Sequence, residues 1–253
     1  KINLTESCRY EGAILNGLPH GQGKLSYGDN YEIEGDFEKG FLKHGMIKDH
    51  KKNETYLGEF KRESSLNKLP MPHGNGKHSF PNGDEYYGSF KDGIFHGSGI
   101  YRWGGDDFLG DQYSGQFENN KMHGSGIFTM NDRCNFTGVT HKGVWCNNVF
   151  SGKCSGMFYG VLFESEVRDN ELNGESKIFF ERIILNNQYN NGVLIANRTS
   201  TPEGKVLDDW IYFDIEEEKL WRDFYTKYQK ECDHVMLLFK NWANNVAYLE
   251  FDN

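Results

Sequence analysis

"YYGSFKDGIFHGSGIYRW", residues Tyr86 to Trp103, decides how the rest of the chain is read. Tyr86, Gly88 and Phe90 alternate, which places them on one face of a strand. Asp92-Gly93 falls where a two-residue hairpin turn is needed. A type I′ turn requires positive φ at both central positions, which Asp, Asn and Gly tolerate best. The return segment carries His96-Gly97-Ser98-Gly99 and ends on Tyr101 and Trp103. Its glycines let backbone and neighbouring rings approach closely. The stretch spells one β-hairpin.

The phrase recurs along the chain. "YSGQFENNKMHGSGIFTM" (Tyr113–Met130) is nearly the same, and "YEGAILNGLPHGQGKLSY" from Tyr10 has Ile14 in the Phe slot. "IEGDFEKGFLKHGMI" from Ile33 matches with one extra residue before His44, and "YLGEF" from Tyr56 leads across a longer loop to "HGNGKHSF" from His73. Further on the pattern decays but keeps phase. Trp145 precedes Asn147-Asn148, with Ser151-Gly152 in the His-Gly slot. Val167 precedes Asp169-Asn170 and Asn173-Gly174, and Tyr189 precedes Asn191-Gly192. The second turn residues, Gly17, Gly40, Glu63, Gly93, Asn120, Asn148, Asn170 and Gly192, recur every 22 to 30 residues. One hairpin cannot bury its own rings, so the expected fold is mainly β: an elongated single-layer antiparallel sheet of stacked hairpins.

Tyr-x-Gly-x-Phe followed by His-Gly-x-Gly resembles the MORN (membrane occupation and recognition nexus) repeat, over about Tyr10 to Gly192. The resemblance implies rod-like or curved antiparallel sheets with an aromatic-lined groove. It also implies a scaffold role at cytoskeletal or ciliary structures and membrane junctions, or as a module attached to lipid kinases, exchange factors or histone methyltransferases. The expected organisation is a lead-in at 1–9, well-formed repeats at 10–135, degenerate hairpins and a last strand at 136–213, and a C-terminal segment at 214–253.

That last segment has a different period. Asp214 with Glu217 forms a capping-box-like start, and acids crowd the first turn as the helix dipole prefers. Trp221, Tyr225, Tyr228, Cys232, Val235, Phe239, Trp242, Val246 and Leu249 follow at alternating spacings of four and three. This predicts a long amphipathic α-helix whose stripe is buried against the chain's own sheet, a second copy in a homodimer, or another protein.

Composition narrows the function. The 253 residues include 30 glycines and 15% aromatics, with no apolar run of the roughly 20 residues that a membrane helix needs. A net charge of −9 argues against nucleic acid as a partner. Five cysteines without a C-x-x-C pair read as free thiols of a cytoplasmic protein, and four N-x-[ST] sequons in an Asn-rich chain weigh little against that. Lys1 at the start leaves open a piece of a longer chain.

No catalytic or cofactor motif appears. Gly23-Lys24 and Gly76-Lys77 resemble the end of a P-loop but lack its first glycine and its Ser/Thr. His20, His44, His73, His96 and His123 share one slot of stacked hairpins, about 10 Å apart, too far to share a zinc. Their expected role is a hydrogen bond to a neighbouring turn. Asp106-Asp107 reads as a solvated loop, and no metal or cofactor is expected. The chain therefore reads as a non-catalytic scaffold or adaptor. The candidate partner-binding groove is Tyr86, Phe90, Tyr101, Trp103, Tyr113, Phe117 and Phe128, fit for a helix or extended peptide of a partner protein. The insertions at Glu63 to Pro72 and Gly104 to Gln112 are the candidate specificity elements. The alternatives are a phospholipid-binding tether and a regulatory module of a larger enzyme. Lys39, Lys43, Lys48, Lys51, Lys52, Lys61, Arg62 and Lys68 make a locally basic stretch, diluted by Asp49, Glu54, Glu59 and Glu63.

Overall fold

A computed structural model describes residues 2–5, 8–62, 68–105, 108–132, 136–158, 160–179 and 184–206. The amphipathic segment at 214–253, with Trp221, Tyr225, Tyr228, Val235, Phe239 and Trp242, lies outside the described residues, as does Glu63. The chain divides into two compact units, one ending at Asn120 and one beginning at Lys121.

The first unit is an antiparallel meander of β1 (Ile2–Thr5), β2 (Cys8–Leu15), β3 (Leu18–Tyr27), β4 (Tyr31–Glu38), β5 (Phe41–Asp49), β6 (Glu54–Phe60), β7 (Pro72–Ser79), β8 (Glu85–Lys91), β9 (Ile94–Arg102) and β10 (Gln112–Glu118). Each strand pairs with the next. The second unit continues the same grammar in β11 (Lys121–Thr129), β12 (Phe136–Cys146), β13 (Val149–Phe158), β14 (Val161–Arg168), β15 (Glu171–Phe179), β16 (Ile184–Asn190) and β17 (Val193–Ser200). Its strands also pair in sequence order.

The turns are those that the sequence requires. Asn16-Gly17, Lys39-Gly40, Asp92-Gly93, Asn119-Asn120, Asn147-Asn148, Asp169-Asn170 and Asn191-Gly192 all have positive φ at both positions. Lys39 alone has a side chain poorly suited to that region, and the Gly after it completes the turn.

Cross-strand register aligns glycine on glycine. Gly12, Gly23, Gly35, Gly45, Gly58, Gly76, Gly88, Gly99 and Gly115 stand opposite one another from β2 to β10. Beside this ladder, on the same face, runs the row Tyr10, Leu25, Ile33, Ile47, Tyr56, His78, Tyr86, Tyr101 and Tyr113. The absent side chains make room for the tyrosines. A Cβ on Gly99 would stand 2.5 Å from the Tyr86 ring, and one on Gly88 would stand 2.5 Å from the Gly99 Cα. Gly99→Ala should therefore cost about 1–3 kcal/mol through overpacking. Gly105→Ala meets nothing within 4 Å and should stay within about 0.5 kcal/mol of wild type when both variants are unfolded in urea.

Two hairpins depart from the sequence alignment. Ser151-Gly152 was expected in the His-Gly slot, yet Val144 pairs with Ser151 and Gly143 with Gly152, so no bulge forms there. In the Ile33 repeat, Phe37 pairs with Leu42 and Gly35 with Gly45. Two residues separate Leu42 from Gly45, whereas three separate Phe95 from Gly99 in the Tyr86 hairpin, so this return strand is shorter by one residue, not longer. In both, apposing glycines set the register because only they admit such close backbones. The histidine slot yields.

Successive hairpins are joined at their turns. The N–H of the second turn residue donates to the previous return strand: Gly40 to Pro19 O, Gly93 to Pro72 O, Asn120 to Phe95 O, Asn148 to Met122 O and Asn170 to Phe150 O, at 2.8–3.2 Å. Where that residue is asparagine, its Oδ1 accepts the N–H of the same partner: Phe95 at 2.7 Å, Met122 at 2.8 Å and Phe150 at 2.8 Å. Where the partner is proline there is no N–H to satisfy, and the turn residue is glycine. Asn148→Gly keeps the positive-φ turn but strands the buried Met122 N–H, at an expected cost of about 1–3 kcal/mol in chemical denaturation. Gly93→Asn, facing Pro72, should bring no comparable gain.

In the second unit the ladder Gly126–Gly143–Gly152 gives way to Val167 opposite Gly152. Buried small polar residues follow: Ser165 and Ser176 share a 2.8 Å hydroxyl hydrogen bond, and Asn187 lies opposite Ser176.

Candidate functional site

Tyr10, Tyr56, Tyr86 and Tyr113 repeat one arrangement. Each hydroxyl donates to the carbonyl three residues on, at Ala13, Glu59, Ser89 and Gln116, over 2.8–3.1 Å. The bond turns each phenol along its own strand, and at Tyr10, Tyr56 and Tyr86 the ring lies against the glycine ladder. Burial raises all four phenol pKa values, so these groups stay protonated donors at neutral pH.

Six of the seven groove candidates stand in the first unit, on or beside this row, and all six are buried: Tyr86, Phe90, Tyr101, Trp103, Tyr113 and Phe117. Phe95, which sequence reasoning did not single out, sits among them. Its ring stacks on Tyr86 with centroids 3.8 Å apart and meets Phe90 at 5.5 Å, Phe117 at 6.1 Å and Tyr101 at 6.2 Å, all edge-on. Tyr86 is also edge-on to Phe90 and Phe117, each at 5.1 Å, and Tyr113 meets Phe117 at 5.1 Å. Tyr101 tilts onto Trp103 at 4.7 Å and donates its hydroxyl to the buried Asp84 carboxylate at 2.6 Å. The other oxygen of Asp84 accepts the Gly104 N–H at 2.8 Å, which ties the second insertion to the sheet. Phe128 stands in the second unit, buried and edge-on to His141 at 5.9 Å. The six rings of the first unit thus form a close-packed floor rather than free walls.

The histidine slot works partly as expected. His73 Nδ1 accepts the N–H of Asp92, in the next turn, at 3.3 Å. Ser151 and Asn173 serve turns in the same manner, Ser151 Oγ accepting the Asp169 N–H at 3.0 Å and Asn173 Nδ2 donating to Asn191 Oδ1 at 2.8 Å. Nδ1 of His20 and of His96 is buried without a hydrogen-bond partner among the described residues. Among the described residues no three His, Cys, Asp or Glu side chains converge in a way that could hold a metal ion.

Of the first insertion, Lys68 to Pro70 lie against the ring-bearing face of the sheet. The base of the insertion is closed by the Lys61 N–H donating to Met71 O at 2.9 Å, and the Tyr27 hydroxyl donates to Lys68 O at 3.0 Å. Between this loop and the sheet is a cleft. Leu25, Phe37 and Leu42 form its floor, Tyr27, Phe41, Leu69 and Pro70 its walls, and Lys61 and Lys68 its rim. Arg62 stands over the Phe41 ring at 5.3 Å, and Lys61 pairs with Asp92 at 2.6 Å. The sequence signalled the loop by its length; where it lands depends on Tyr27, 41 residues from Lys68.

The MORN repeat pattern matches residues 10–30, 71–85, 86–107 and 113–134. Those four stretches carry MORN repeats. The matches fall on hairpins that keep both the tyrosine and His-Gly-x-Gly, while the hairpin architecture continues to Ser200 without them. Alsin from Rattus norvegicus is 30% identical over 110 residues, which is 41% of this chain and 6% of the relative. Alsin from Homo sapiens is 30% identical over 105 residues, 39% of this chain and 6% of the relative. This chain thus aligns with only 6% of the length of those relatives.

Proposed function

We propose that this MORN-repeat chain is a non-catalytic binding module that takes up a helical or extended segment of a partner protein. We place its work in a cytoskeletal, ciliary or cortical assembly of the cytoplasm. The observation that carries the binding reading is the inner face of the first unit. There a close-packed floor of buried rings shares the face with an open apolar cleft flanked by Lys68 to Pro70. Rings locked by edge-on contacts and by hydroxyl-to-carbonyl bonds keep their shape, so a partner orders little on arrival. Tyr86, Phe90, Tyr101, Trp103, Tyr113 and Phe117 act in this reading as the supporting floor, and the residues around them make the contacts; Phe128, in the second unit, is no part of it.

The test pairs affinity capture on the folded chain with flotation on anionic liposomes. A specific protein partner retained by wild type and lost by Phe90→Ala/Phe117→Ala supports the reading, provided Leu57→Ser on the opposite face retains it. Because both phenylalanines are buried, the double variant must first show a native circular dichroism spectrum. Flotation of wild type together with failure to retain any protein overturns the reading in favour of a lipid tether.

A further inference from the structure

Resting on that reading, we propose that the cleft between the first insertion and the sheet is a docking site for an acidic, apolar-bearing segment of a partner protein. The floor is apolar and recessed: Leu25 is 1% exposed, Phe37 2% and Leu42 4%. A single aliphatic or aromatic side chain reaches such a floor, while a flat bilayer surface does not. The rim is cationic. Lys61 spends its charge on Asp92, but Arg62 and Lys68 are exposed and have no carboxylate partner among the described residues. Arg62 is instead held over Phe41, at the same mouth. In a chain of net charge −9, exposed cations without an ion pair among the described residues, gathered at an apolar cleft, favour a ligand with carboxylates beside its anchoring side chain. The same net charge opposes adhesion to an anionic membrane, and the surrounding basic stretch is diluted by Asp49, Glu54 and Glu59, unlike the dense cluster of roughly 4–8 cations that a polybasic lipid site uses.

The loop position is built rather than incidental. Tyr27, whose phenol pKa is raised chiefly by burial, donates to Lys68 O and so sets the Lys68 end of the rim above the floor. Leu69, 38% exposed, stands next in line as a wall.

The experiment selects binders from a random dodecapeptide library displayed on phage, using the full chain as bait. Selected peptides are then titrated against wild type, Arg62→Glu/Lys68→Glu and Leu69→Ser. Enrichment of acidic peptides with a bulky apolar residue, bound at least about tenfold more weakly by the charge-reversal variant and with affinity falling as salt rises, supports the proposal. Leu69→Ser, which leaves every charge in place, should weaken the same peptides and guards against an indirect effect of charge reversal. Enriched peptides that are neutral or basic, or that bind the Arg62/Lys68 variant as well as wild type, overturn the cleft proposal and leave the binding-module reading standing. No enriched peptide at all, with flotation on phosphatidylserine-containing vesicles, overturns both.

Discussion

Phe95→Ala is expected to destabilise the first unit by about 3–5 kcal/mol, the range for emptying a well-packed aromatic site. The ring is fully buried, stacked on Tyr86 at 3.8 Å and ringed by Phe90, Phe117, Tyr101, Phe80 and His78. Its removal leaves Tyr86 without a stacking partner while the glycine ladder holds the Tyr86 ring from the other side, so the site has little freedom to collapse. The Phe95 backbone is also clamped to Asn120, and this hairpin-to-hairpin bond survives the substitution. Unfolding should therefore remain cooperative while its midpoint falls. Phe95→Leu, which refills part of the volume, should cost clearly less. Urea titrations followed by tyrosine and tryptophan fluorescence measure both, and a loss under about 1 kcal/mol for Phe95→Ala would contradict this packing.

Acid should weaken the second unit through His141. The ring is fully buried, edge-on to Phe128 at 5.9 Å and to Phe150 at 5.4 Å, and it faces Cys154 on β13. Burial pushes its pKa down to about 3, from an ordinary value near 6.5. Between these two values the unfolded chain binds one proton more than the folded one, so stability rises with pH across that window. The contribution of neutral His141 is complete above about pH 6.5 and is lost as pH falls, by up to ~1.4 kcal/mol per pH unit and on the order of 5 kcal/mol by about pH 3. Glu32, Glu85 and Asp92 have carboxyl pKa values held low by hydrogen bonds from Lys24, Lys77 and Lys61, and their losses begin in the ordinary carboxylate range. The interval from about pH 6.5 down to pH 5 therefore isolates the histidine. His141→Phe should flatten the stability–pH slope there. An unchanged difference between the two proteins at every pH would exclude a neutral buried imidazole.

The limits of sequence reasoning trace to particular residues. The hairpins were legible because turn chemistry is local: Asp92-Gly93 or Asn147-Asn148 can be read without knowing what lies opposite. The ladder was half legible. The recurrence of glycine was plain, but that Gly35 pairs with Gly45, and so shifts His44, requires the neighbouring strand. The turn clamp was partly legible and missed: Pro19 and Pro72 stand one step before His-Gly where the next turns end in Gly40 and Gly93, although Leu172 holds that place opposite Gly192. The groove candidates were chosen for their rings; their burial and the centrality of Phe95 depend on which strands the rings meet. Nothing local to "KRESSLNKLP" marks Tyr27 as its landing point.

By itself, then, the sequence determined the element type, the repeat, the turn geometry and the face of each strand that carries the rings. These follow from short-range sterics and from a side-chain period of two. Only the tertiary structure decided the register, the stacking partner of each ring, the burial of His141 and Asp84, and the place where Lys68 to Pro70 meet the sheet. Each of these is a contact between residues far apart in the chain, set by close packing between strands rather than by any residue's own preference.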